Sequence, residues 1–92
     1  NMSANTSRNI TVTKMPRYVI FIMTRNSDST GRSYGWCYDV QNGKYEYFNY
    51  SADGYSHSEY TGVPTTISAT SSSVTVTNVS AITCRTHALI YY

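Results

Sequence analysis

Polar and apolar positions alternate in short bursts along this chain. The first burst, Asn9-Ile10-Thr11-Val12-Thr13, has the period of two that marks a half-buried strand. Residues 1–8 ahead of it are mostly polar and read as a linker or frayed start, so the expected domain covers residues 9–92. Met15-Pro16 then interrupts the pattern, because proline has no N–H to give a ladder. Tyr18-Val19-Ile20-Phe21-Ile22-Met23 is apolar throughout and reads as a central strand covered on both faces. Arg25 to Arg32, rich in Asn, Ser, Asp, Thr and Gly, reads as a loop.

Tyr34 to Gln41 and Lys44 to Tyr50 are strand-like and flank Asn42-Gly43. Asn-Gly suits a two-residue type I′ turn, in which both central residues take positive φ. That turn predicts a register with Gln41 opposite Lys44, Asp39 opposite Glu46, Tyr38 opposite Tyr47 and Cys37 opposite Phe48. One face then carries Trp36, Tyr38, Val40, Tyr45 and Tyr47. Ser51 to Gly62 reads as a twelve-residue loop, a length often associated with function. Thr65 to Ala69 and Val74 to Val79 follow as strands, with a turn at Ser71 to Ser73. The last strand is expected from about Ala81 to Tyr92, with Cys84, Thr86, Ala88 and Ile90 on one face and Arg85, His87 and Leu89 on the other.

No segment sustains a 3.6-residue period. About seven short strands with frequent turns predict an all-β domain, a small antiparallel β-sandwich or jelly-roll-like barrel. A chain of 92 residues has room for one core and buries roughly 60–65% of its unfolded surface. It begins at Asn1 with no initiator methionine, as a fragment or a mature product would.

Composition sharpens this picture. Charged residues are only 13%, against roughly 25% in an average domain. Ten of the thirteen aromatics are Tyr. Such a mixture opposes disorder and favours strands. The net charge of +2 comes from scattered side chains, whereas a nucleic-acid partner requires clustered Lys and Arg. The apolar run at Tyr18 to Met23 is far too short to insert as a membrane helix. Five asparagines, Asn1, Asn5, Asn9, Asn49 and Asn78, sit in glycosylation sequons, a modest excess over chance in so Ser- and Thr-rich a chain.

Catalytic and metal chemistry find little support. There are two histidines, His57 and His87, and no nucleophile elbow, so no enzyme is expected. Neither CxxC nor HxxxH occurs. Asp53 and Glu59 suit Ca²⁺ by residue type, but solvated loop charges are the default reading, and no metal or other cofactor is expected. Cys37 and Cys84 are open to one disulfide or to two buried thiols. Tyrosine is the informative surplus. Tyr18, Tyr38, Tyr45 and Tyr47 fit a core by periodicity, as does Trp36, while Tyr55 and Tyr60 in the long loop do not. Exposed tyrosine gives a rigid contact surface with a polar tip, suited to stacking on the apolar face of a sugar.

The order of segments also resembles a known family. Ile10-Thr11-Val12-Thr13 leads through Met15-Pro16-Arg17 into Tyr18-Val19-Ile20-Phe21, and Ser73-Val74-Thr75-Val76-Thr77-Asn78 leads into a final strand ending Ala88-Leu89-Ile90-Tyr91-Tyr92. This resembles the C-terminal receptor-binding domains of bacteriophage tail fibre and baseplate proteins. The resemblance implies a non-enzymatic β-sandwich tip domain, a homotrimer on the phage tail of the virion that recognises a host cell-surface carbohydrate outside the cell. Binding residues vary in that family, so the expected contacts come from the loops of this chain: Tyr55, His57, Glu59 and Tyr60, with Trp36, Asp39 and Arg32 as outer candidates. Two other readings stand beside it. One is a structural or trimerisation module of a fibre or virion protein. The other is a secreted immunoglobulin-like adhesion domain with a Cys37–Cys84 bridge.

Overall fold

The computed structural model describes residues 1–25 and 32–92, and the loop expected between Arg25 and Arg32 lies outside the described residues. Eight strands form two antiparallel sheets: β1 Ser7–Thr11, β2 Tyr18–Arg25, β3 Ser33–Asp39, β4 Lys44–Ser51, β5 Gly54–Thr61, β6 Ile67–Ala69, β7 Ser73–Thr77 and β8 Cys84–Tyr91. One sheet has the order β5-β4-β3-β2-β8 and the other β1-β7-β6. No helix occurs among the described residues. The all-β sandwich expected from the pattern is thus the fold observed.

Period-two alternation decides which side chains enter the core. Val19, Phe21 and Met23 of β2 are fully buried, and Val74 and Val76 of β7 face them from the smaller sheet with Ile67 of β6. Trp36 and Tyr38 of β3 complete the inner layer, and Trp36 stacks on Phe21 with ring centroids 6.1 Å apart. The strand β2 is central, as its composition suggested, but it is covered on one face only. Ile20 and Ile22 are half-buried on the outer face, and Tyr18, expected in the core, is exposed there. The two faces of β8 divide as the sequence pattern required.

Three further expectations change. Residues 1–8 are no frayed linker. Met2 is buried and exchanges two backbone hydrogen bonds with Cys84, at 2.8 and 3.0 Å, and β1 already begins at Ser7. The buried Asn78 fixes this segment: its Nδ2 donates to the carbonyls of Met2, Ser3 and Ile82, and its Oδ1 accepts from Ser80. A side chain so engaged offers no amide for a glycan, so the sequon at Asn78 is structural.

The β3–β4 register is offset by two residues from the type I′ expectation. Asp39 lies opposite Lys44, Tyr38 opposite Tyr45, Cys37 opposite Glu46 and Trp36 opposite Tyr47. Only Gly43 of the Asn42-Gly43 pair has positive φ, at 61°. The Asp39 carboxylate accepts from the Asn42 backbone N–H and from Asn42 Nδ2, which closes a four-residue turn instead. The offset also exchanges an Asp39–Glu46 repulsion for an Asp39–Lys44 attraction. Because the shift is even, the Trp36, Tyr38, Tyr45, Tyr47 face survives.

The largest correction concerns residues 51–62. They are not a long loop. Ala52-Asp53 is a tight turn, and Gly54–Thr61 pairs along its whole length with β4, from Ser51 opposite Gly54 to Lys44 opposite Thr61. All eight residues of β5 are exposed, because the three-stranded sheet does not reach this edge. Exposure on both faces removes the apolar alternation by which a strand is recognised.

Candidate functional site

The β4–β5 hairpin carries the candidate site. Strand geometry assigns each side chain to a face. Tyr55, His57 and Glu59 lie in line on the outer face, opposite Tyr50, Phe48 and Glu46 of β4. Tyr60 points to the other face and stacks on Tyr45 at 5.1 Å. The four expected contact residues therefore share a strand but not a surface.

On the outer face the Tyr50 and Tyr55 rings are each 59% exposed. The Tyr55 ring lies 5.7 Å from the imidazole of His57, whose Nδ1 is 3.6 Å from Glu46 Oε1. Glu46 and Glu59 stand directly opposite each other. An adjoining open depression of about 510 Å³ is lined by Glu46, Glu59, Lys44, Asp39, Cys37 and the edge of Tyr60, among others. At the far end of the hairpin, Tyr55, Arg32, Asn49, Ser51, Asp53 and Ser56 line a second depression of about 290 Å³, together with Gly54. Asp53 and Glu59, considered above for Ca²⁺, are separated by six residues of extended chain, about 20 Å. Among the described residues, no group of three or more His, Cys, Asp or Glu side chains is placed to hold a metal ion.

The outer candidates divide. Arg32 joins Tyr55 in the second depression. Trp36 is 9% exposed and its ring sits among Phe21, Tyr34 and Tyr47, so it is a core residue with no surface to offer a ligand. Asp39 lies at the rim of the larger depression but is committed to the turn. Its hydrogen bonds from Asn42, together with the Arg17 guanidinium 3.3 Å away, hold its carboxyl below the usual carboxylate range. Tyr50 was missed by the sequence reading. Once β5 is recognised as a strand, the Ser51–Gly54 turn places Tyr50 beside Tyr55.

Both cysteines are free, and no bridge is open to them. Cys37 lies on the outer face, opposite Ile20 and Glu46, while Cys84 is buried on the inner face at the far end of β2, opposite Arg25. Side chains pointing to opposite faces of a sheet cannot meet disulfide geometry. The Cys37–Cys84 bridge that the sequence left open is thereby ruled out, and the immunoglobulin-like reading loses its defining feature. Partial burial, with Glu46 and Asp39 nearby, pushes the Cys37 thiol up and keeps it protonated.

Comparison with known protein families, characterised proteins and solved structures finds no significant match to this chain.

Proposed function

We propose that this chain is a non-enzymatic saccharide-binding domain of the phage tail-fibre tip type, and that it reads its ligand on the β4–β5 hairpin. One observation carries the reading. An edge hairpin in a domain with few charges exposes two adjacent tyrosine rings on its outer face, and Tyr55 also borders the polar depression at the Ala52-Asp53 turn that Arg32, Ser51 and Asp53 line. Flat rings next to convergent hydrogen-bonding groups suit a pyranose, whose apolar face stacks while its hydroxyls are bound. Neither ring is used by the core, so the hairpin holds them out at no benefit to packing. In this reading Tyr50 and Tyr55 stack, Arg32 and Asp53 bind hydroxyls, and His57 and Glu59 extend the contact along β5. The ligand class is a host cell-surface carbohydrate, and the protein acts outside the cell on a virion.

Alanine at Tyr50 and Tyr55 tests this. Loss of binding to host cell-wall polysaccharide, with an unchanged thermal midpoint, is the expected result. Undiminished binding by the double variant contradicts the site.

A second reading, a structural module of a fibre, draws on a different observation. The outer face of the larger sheet leaves Leu89, Tyr91 and Tyr18 exposed around the half-buried Ile20 and Ile22. A trimer packed through that face, with no affinity for any cell-wall preparation, favours it.

A further inference from the structure

The free edge of β5 is the feature least explained by a solitary domain. Gly62 N donates to Gly43 O across the hairpin, which makes Gly43 and Gly62 a hydrogen-bonded pair. Antiparallel ladders alternate. The backbone groups of Tyr60, Ser58, Ser56 and Gly54 are therefore used by β4, and those of Thr61, Glu59, His57 and Tyr55 point away from it. The result is an eight-residue edge without proline, lysine or bulge, the devices by which edge strands are usually protected.

We propose that a second copy of this chain pairs with this edge, antiparallel, about a two-fold axis at Ser58. The sequence of β5 is self-complementary in that register and in no neighbouring one. With Ser58 opposite Ser58, His57 faces Glu59 of the second copy, Glu59 faces its His57, and Tyr55 faces Thr61 at both ends. Each of these is a pair of outward-pointing residues, so every free backbone group from Tyr55 to Thr61 finds a partner. Centring the axis on His57 or on Glu59 sets like against like.

The pairing also accounts for an unfavourable feature of the single chain. Glu46 and Glu59 stand opposite each other, and the imidazole of His57 lies beside Glu46. Directly opposed like charges destabilise a sheet. Pairing supplies Glu59 with the His57 of the second copy.

The other edges do not offer this. At β8, Met2 already occupies the backbone of Cys84. The sequence CRTHALIY of that strand has no acid to set against Arg85 or His87. The strand β6 has three residues, and β1, SRNIT, also lacks an acid. Among the described strands, β5 is the only free edge carrying both a carboxylate and a basic side chain.

The product is a continuous ten-stranded sheet whose side-chain faces stay open, so Tyr55, His57 and Glu59 meet the second copy through their backbone and neighbouring side chains while their outer face remains accessible to a ligand; the pairing does not require the saccharide reading. It predicts two chains per particle, whereas the tail-fibre resemblance implies three.

Sedimentation equilibrium over a micromolar to millimolar range tests the inference. The unaltered chain is expected at twice its 10.3 kDa mass. His57→Pro removes an N–H that β4 does not use, and is expected to give a folded single chain by circular dichroism. Glu59→Lys is expected to weaken pairing by roughly tenfold or more. The double variant His57→Glu/Glu59→Lys restores opposite pairs and is expected to pair again. A single-chain mass across the whole range, a mass of three chains, or a dimer that survives both single variants overturns the inference.

Discussion

Asp39 illustrates how one side chain sets a larger feature. Its carboxylate binds Asn42 twice and meets the Arg17 guanidinium, and those contacts select a four-residue turn over the two-residue turn that Asn42-Gly43 suggests. A carboxyl held below its ordinary value contributes stability that is fully present above the unfolded value and is lost as pH falls through the folded one. Asp39→Asn is therefore expected to melt at a lower temperature than the unaltered chain at pH 7. The difference should shrink as the pH drops below about 4, the ordinary range for Asp. Thermal melts of both proteins across that interval check the sign. A gap that is constant with pH contradicts the role of the carboxylate charge.

Strands were legible in proportion to how evenly they divide between core and solvent. The alternation at residues 9–13 and 74–77 could be read directly because one side of each packs against the core, and β8 keeps the same two faces although only Cys84 in it is fully buried. The hairpin face of Trp36, Tyr38, Tyr45 and Tyr47 was legible for the same reason, although its register was not. Turn type depends on where the Asp39 side chain bonds, which spacing does not encode. The strand β5 was illegible because it has no buried face. The polar start at residues 1–8 misled because it is tied down by contacts remote in sequence, the backbone pairing of Met2 with Cys84 and the Asn78 amide on Met2 and Ser3. Gly35 is a further element-scale constraint. A Cβ there would lie 2.6 Å from the Phe21 carbonyl oxygen and 2.6 Å from Phe48 Cζ. The ring of Phe48 thus crosses β3 where no side chain intervenes. Gly35→Ala is expected to destabilise the domain by about 1–3 kcal/mol, read as a lower urea midpoint with an unchanged slope. A neutral substitution contradicts the close approach.

At the scale of the molecule, the two sheets are unequal, and that inequality positions the site. Three strands cover the middle of five, so the outer part of the β4–β5 hairpin projects from the sandwich with Tyr50, Tyr55 and Tyr60 uncovered. Of the seven residues singled out from the sequence, Tyr55 and Arg32 line one depression, and Asp39, Glu59 and Tyr60 line the other. His57 stands between them on β5, and Trp36 belongs to the core. The site was visible in the sequence as an excess of tyrosine without a packing role. Its shape was not, because Tyr50 becomes a neighbour of Tyr55 only through a turn at Ala52-Asp53. A third depression, between Met15, Arg17, Val40 and Tyr92, has a size comparable to the larger of these and lies at the strand ends beside the β3–β4 turn, away from the Ala52-Asp53 turn. It provides an internal control. Titrating isotope-labelled protein with host cell-wall oligosaccharides, and following the backbone amide resonances, tests the central claim most directly. Shifts concentrated on Tyr50, Asp53, Tyr55, Ser56 and His57 are the predicted result. Shifts confined to Met15, Arg17 and Gln41, or none at saturating ligand, would contradict it.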